Sequence, residues 1–287
     1  MDDLKGIKSI RETGFFKQFW YLLWRCFVGF FREKLFVGAV FGNAAFACLL
    51  IASIYYNTGA VDLSWDTNSN KKIIKDWMGL AFYIGNDVFS WSVMSQVIPI
   101  PITVPLYRKE RLAGMYSAHS YYWSLFLGQN ILTLWYPIIV ACGCFPFLGF
   151  KDQSFENFME FFITCIMVGL AGSTFGFMWG SIFKNDVQAT TSSIVYLLVS
   201  ALGAGQFVNL SKPSWVVTFI SNTSPIRYAV ERVFRRVLSG NDMWKPTLLQ
   251  LFGFNKGDEE CLNALLFICI LFLTLGWFVL IYKTSKL

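Results

Sequence analysis

Five intervals of the chain, 35 to 61, 112 to 150, 161 to 183, 187 to 211 and 261 to 282, contain no Asp, Glu, Lys or Arg. A helix rises about 1.5 Å per residue, so roughly 20 apolar residues cross the ~30 Å hydrocarbon core of a bilayer. Each interval is long enough to span. A sixth is interrupted by one carboxylate, because 77 to 105 is uncharged apart from Asp87. The pattern predicts six membrane helices at about 35–56, 77–98, 120–145, 160–183, 187–207 and 262–282. Pro99, Pro101 and Pro105 have no backbone N–H and disfavour helix at the residue before each. The second span is therefore expected to end near Ile98 and lead into a basic loop.

Between and before the spans the pattern changes. From Gly14 to Lys34, Phe15, Phe16, Phe19, Trp20, Leu22, Leu23, Phe27, Phe30 and Phe31 are interleaved with Lys17, Gln18, Arg25, Arg32, Glu33 and Lys34. At helical spacing this gives an aromatic face and a mainly cationic one, the pattern of a helix lying in the headgroup plane. The chain divides accordingly into a tail and interfacial helix, 1–34, and a six-helix membrane domain, 35–287. In the fourth span Gly172, Gly176 and Gly180 recur at intervals of four, beside Gly169 and Ser173. Such a stripe lets another helix approach closely, either within the chain or on a second subunit. Trp215 to Leu238 is apolar yet carries Arg227, Glu231, Arg232, Arg235 and Arg236, which predicts a short re-entrant helix followed by an amphipathic one. Asn241 to Glu260 reads as mostly polar loop. The expected fold is an all-α membrane protein: an interfacial helix, six transmembrane helices, and a re-entrant segment before the last.

Composition supports the bilayer as solvent, since 55% hydrophobic and 15% charged residues is too apolar for a soluble domain. Charge orients the spans only weakly. In the six-helix arrangement thirteen of the 24 Lys and Arg fall on the side of the termini. Those thirteen abut spans in short segments, where the positive-inside rule has force, so that side is expected to face the cytoplasm. The start Met-Asp-Asp suggests neither a signal peptide nor an Arg-rich transit peptide. Seven cysteines are scattered, and Cys142, Cys144 and the single His119 lack the spacing of a zinc site. No metal site and no nucleic-acid partner are expected. Asn209 and Asn222 begin glycosylation sequons, too common by chance to identify a membrane.

Several segments in this order resemble the transmembrane domain of the G subfamily of ABC transporters, the white and pleiotropic-drug-resistance type, an ABC-2 type domain. They are Lys17-Gln-Phe-Trp20 through Arg25 and Arg32-Glu-Lys34, Asn86-Asp-Val-Phe89, Tyr107-Arg-Lys-Glu-Arg-Leu-Ala-Gly-Met-Tyr-Ser117, and Ser224-Pro-Ile-Arg-Tyr-Ala-Val-Glu231. The resemblance runs from about Gly14 to Tyr282, and the Tyr107 to Ser117 segment is its most specific part. It implies that this segment and the interfacial helix rest on a nucleotide-binding domain, with Arg108, Glu110 and Arg111 at the coupling surface and Gly114 in the turn. It also implies a substrate cavity between two copies of the domain, lined by Asn86, Phe89, Leu198 and Ala201. Above them Gln206 and Phe207 stand where the family commonly places a bulky apolar pair.

Asp87 has two readings: a polar spot on a translocation path, or a carboxylate near the helix middle that turns toward a neighbouring polar helix or stays protonated. ATP binding of this class needs a glycine-rich loop ending in Gly-Lys-Ser/Thr, and the 22 glycines include no Gly-Lys pair. The chain is therefore expected to be no enzyme and to hold no cofactor, with ATP and magnesium on a partner. Two functional readings follow. One is a multi-pass transport subunit for a lipid-like or amphipathic substrate, working with a second transmembrane subunit and a separate ATPase. The other is a transport-inactive scaffold within a larger membrane complex, such as a mitochondrial energy-converting assembly.

Overall fold

A computed structural model of the chain describes residues 14–61, 67–208, 210–211, 213–239 and 243–285. The described residues form helices and no strands. The interfacial helix α1 (Phe15–Arg32) buries Gln18 and Leu22 and leaves Phe16, Trp20, Trp24 and Phe31 exposed. A break at Glu33 separates it from α2 (Lys34–Ile54). After a short 3-10 turn, α3 (Thr67–Val97) leads into α4 (Pro99–Leu112). The proline effect acts where expected, since α3 stops at Val97 and Pro99 opens the next helix. The basic segment after it is not a loop, however. Through Leu112 it is helical, because Pro101 sits in the first turn of α4, where a missing N–H costs little, and Pro105 is accommodated inside α4.

The third predicted span is two helices, α5 (Ala118–Thr133) and α6 (Trp135–Leu148), which meet at Leu134, three residues before Pro137 in the first turn of α6. Next come α7 (Phe155–Ile182) and α8 (Asp186–Leu202). The stretch 203–208 is turns and bends, so α8 ends five residues short of the predicted boundary at 207. Among the described residues, five helical segments are long and apolar enough to cross a membrane: Lys34–Ala60, Asn70–Tyr107, Ala118–Leu148, Phe155–Ile182 and Asp258–Lys283. At 17 residues α8 is shorter than these. Two short helices follow, α9 (Trp215–Thr223) and α10 (Pro225–Val237), with Ser224 capping α10 and Pro225 at its first position. The predicted polar loop after them contains α11 (Lys245–Phe252), and α12 (Asp258–Ser285) completes the chain.

The middle of the bundle is α7, which packs on α3, α12, α10 and α6. Its glycine stripe faces α3 and α4 within the same chain. A Cβ on Gly172 would lie 2.7 Å from the Phe89 carbonyl oxygen, one on Gly176 2.5 Å from that of Val93, and one on Gly180 2.9 Å from Ile100 Cβ. At the end of α7, the Lys283 ammonium of α12 donates to the carbonyls of Ser181, Ile182 and Phe183 at 2.8, 2.9 and 3.1 Å, filling acceptors that a helix terminus leaves open. The helix α8 joins the bundle through a Phe175–Tyr196 stack at 4.1 Å and a Trp179 to Ser192 hydrogen bond at 2.8 Å.

The glycine stripe generates a first prediction. Gly176→Ala should destabilise the chain by about 1–3 kcal/mol, because the methyl would run into the Val93 carbonyl and Gln96 Cβ, neither of which is the far end of a flexible side chain. Gly42→Ala, where a Cβ meets nothing within 4 Å, should leave stability nearly unchanged. Thermal unfolding of the two variants in the same detergent compares them directly.

Candidate functional site

The chain reverses between α4 and α5 in a short turn. Gly114 sits at a φ of 74°, a left-handed conformation that favours glycine. Ser117 then caps α5, its hydroxyl accepting the Ser120 N–H at 3.1 Å. The helix α1 is fastened to this turn at two points. Near its start, Gln18 Oε1 accepts hydrogen bonds from the Ser117 N–H at 3.0 Å and the Ser120 hydroxyl at 3.2 Å. Two turns later, Arg25 Nη1 donates to Glu110 at 2.9 Å and 3.1 Å. The Tyr116 hydroxyl donates to the same carboxylate, and behind it Tyr107, Tyr116 and Tyr121 form a stack whose closest rings are 3.9 Å apart.

Burial pushes the Glu110 carboxyl upward, but the Tyr116 and Arg25 hydrogen bonds and the Arg25 charge outweigh it and hold the group below its ordinary value. The result is a charge-assisted joint between two elements far apart in sequence. Of the three expected coupling residues, Glu110 is thus placed on α1. The side chains of Arg108 and Arg111 lie outside the described residues. Sequence reasoning singled out the segments containing Gln18 and Arg25 without pairing them to the turn. The available signal was their spacing, since polar residues seven apart share a face of an otherwise aromatic helix.

The expected cavity residues divide. Leu198 is 62% exposed and Phe207 64% exposed, and Ala201 and Asn86 are partly exposed nearby along α8 and α3. Phe207 meets the ring of Phe82 edge-on at 5.4 Å, joining the segment after α8 to the outer side of α3. The Gln206 amide oxygen is buried without a hydrogen-bond partner. Phe89 is the exception. It is fully buried against Phe175, 6.5 Å between ring centres, and touches the Gly172 position, so it fills the bundle instead of facing outward. The reason is the stripe itself: α7 presents no side chain there, and the Phe89 ring takes the space.

Asp87 turns away from that outer face. It accepts a 2.6 Å hydrogen bond from the Tyr136 hydroxyl of α6, and Tyr136 is stacked on Trp91 with Asn43 of α2 beside it. The carboxyl group is thus turned toward a polar side chain of the neighbouring helix α6.

A second polar cluster lies around α10. Arg232, its side chain fully buried, donates to the Thr164 hydroxyl at 2.9 Å, to Glu160 and to the Asp258 carbonyl. Glu231 takes Arg235 at 3.2 Å and the Lys256 N–H at 2.9 Å, and Arg236 pairs with Asp258. These charges lock α10 to α7 and to the start of α12.

A family model described as ABC-2 type transporter matches residues 17–235. ABC transporter G family member 1 of Dictyostelium discoideum is 24% identical over 233 residues, covering 80% of this chain and 28% of that protein. ABC transporter G family member 21 of Arabidopsis thaliana is 26% identical over 135 residues, covering 47% of this chain and 20% of its own length. The chain thus spans under a third of the length of either relative.

The joint at Glu110 is testable in isolation. Glu110→Ala should weaken docking of α1 by about 1 kcal/mol, roughly a fivefold shift in the docked population, because Arg25 is half-exposed. A pair of spin labels on α1 and the α4–α5 turn would report it as a second, longer distance. The pH dependence has a definite sign. A carboxyl held below its ordinary value contributes fully at neutral pH, and the contribution is lost as the pH falls through that lowered value. The longer distance should therefore grow in the wild-type chain on acidification and be pH-independent in Glu110→Ala.

Proposed function

The chain belongs to the ABC-2 type transporter family, and from that premise we propose that it is the membrane-spanning subunit of a G-family-type transporter for a lipid-like or amphipathic molecule. The observation that carries the reading is the double fastening of α1 to the α4–α5 turn through Gln18 and Arg25. A rigid body pressing on that turn displaces α1 and the α3–α4 rod together, which is what a motor domain docked from outside the bilayer requires. Without such a motor the joint has no evident purpose, and this weighs against a passive scaffold.

In this reading α8 and the turns after it complete a sixth crossing, and α9 with α10 forms the re-entrant segment. The exposed side of Leu198, Ala201, Phe207 and Asn86 meets a second transmembrane subunit, the same chain or a relative. The apolar residues there suit an apolar substrate body, and Asn86 and Gln206 offer amides to its polar end. The chain carries no cofactor of its own. ATP and magnesium are bound by a nucleotide-binding subunit on another polypeptide, with Glu110 at the coupling surface and Arg108 and Arg111 beside it.

Gentle purification from the native membrane followed by mass spectrometry tests this. The expected outcome is a nucleotide-binding polypeptide in stoichiometric amount, and Glu110→Ala should retain that partner while lowering substrate-stimulated ATP hydrolysis several-fold. Recovery of a large assembly without any nucleotide-binding subunit would establish the scaffold reading instead.

A further inference from the structure

Beneath α1 the structure leaves a hollow of about 400 Å³ between α1, the start of α2, α4 and α5. This lies within the roughly 300–1,000 Å³ of small-molecule sites. It is separate from the outward face of α3 and α8, and nothing in the proposed transport cycle uses it. Its floor is apolar and closed, with Leu22, Leu125 and Leu132 all buried. Its mouth lies at Gly29, Glu33 and Leu106, which are exposed. Gly29 shares the helix face of Leu22, Arg25 and Cys26, and a Cβ built on it meets nothing within 4 Å.

Two charged side chains line the hollow, and they are not equivalent. Arg25 is engaged by Glu110 at 2.9 Å. Glu33 stands at the junction of α1 and α2 and is exposed; its backbone N–H caps α1 at the Gly29 and Phe30 carbonyls, while its side chain makes no capping hydrogen bond. The rim therefore offers one uncommitted carboxylate above an apolar slot, at the depth where an interfacial helix lies.

We propose that this hollow holds an acyl chain of a phospholipid from the surrounding leaflet, with a primary amine in the headgroup pairing with Glu33. The apolar walls supply affinity by burying methylenes, and the carboxylate supplies headgroup preference. Arg32 and Lys34 flank Glu33 in sequence, but of the two charged side chains that line the hollow Arg25 is paired with Glu110, so an anionic headgroup seated there would meet the like charge of Glu33. A lipid seated there also fills the space under α1 and supports the helix from the side opposite its aromatic face. The inference requires only that the chain sits in a bilayer, so it stands or falls independently of transport.

The test uses the full chain in nanodiscs of equal parts phosphatidylethanolamine and phosphatidylglycerol with identical acyl chains, released into native mass spectrometry. One retained lipid is expected, the ethanolamine form several-fold over the glycerol form. Gly29→Trp, which plugs the mouth from α1, should abolish retention, and Leu106→Trp should do the same from the facing helix. Glu33→Gln should keep the lipid and level the two forms. Thermal unfolding of each variant separates loss of the lipid from loss of the fold. The proposal is overturned if no lipid is retained, if both tryptophan variants fold and still retain it, or if Glu33→Gln leaves the preference intact.

Discussion

Everything in this molecule is arranged around the contact of α7 with α3. In a bilayer the surrounding lipid is as apolar as the helices, so sequestering greasy surface does not gather them, and association rests on dispersion between closely fitting surfaces. The glycines of α7 make that fit possible by letting it touch the backbone of α3 itself, at the Phe89 and Val93 carbonyls. The remaining helices are positioned by what this pair presents. Phe175, pressed from one side by Phe89, stacks on Tyr196 and so seats α8. Lys283 seats the end of α12 on the last carbonyls of α7.

The charges inside the bundle obey a related constraint. An ionised group away from water is tolerated only when its hydrogen-bonding capacity is used. Arg232 meets this with partners on two other helices, and Asp87 meets it through Tyr136. Neither is arranged like a reactive centre, since each is directed at packing partners. They act as register pins: a slide of α10 by one residue would leave a guanidinium without acceptors.

Much of this was legible from the sequence because hydrophobic runs and small-residue spacing are one-dimensional signals. The spans around α2, α7 and α12 and the break before Pro99 follow from residue types alone, while the turn at Gly114 was expected from the family resemblance. Three features were not legible in that way. The basic stretch after Pro105 looked like a loop because it is charged, yet nothing in Tyr107 to Leu112 opposes a helix once α4 has begun. The inward turn of Phe89 depends on a vacancy in a helix some eighty residues away, which no local pattern records. The α11 segment is too short for its period to stand out against the polar residues around it. In each case the deciding partner or geometry lies outside the window that a sequence pattern can report.

The two kinds of ion pair differ in their access to water. Arg25 and Glu110 have side chains 49% and 17% exposed, whereas Arg232 is completely enclosed and only its partner Glu160, 34% exposed, reaches water. Mobile ions at physiological strength attenuate fields over about 8 Å of solution but hardly penetrate a protein interior. The fastening of α1, whose guanidinium is half in water, is therefore more open to adjustment by the electrolyte on its side of the membrane than the register of α10, which hangs on an enclosed guanidinium. Ionic conditions at one surface can loosen the lever without disturbing the frame that carries it.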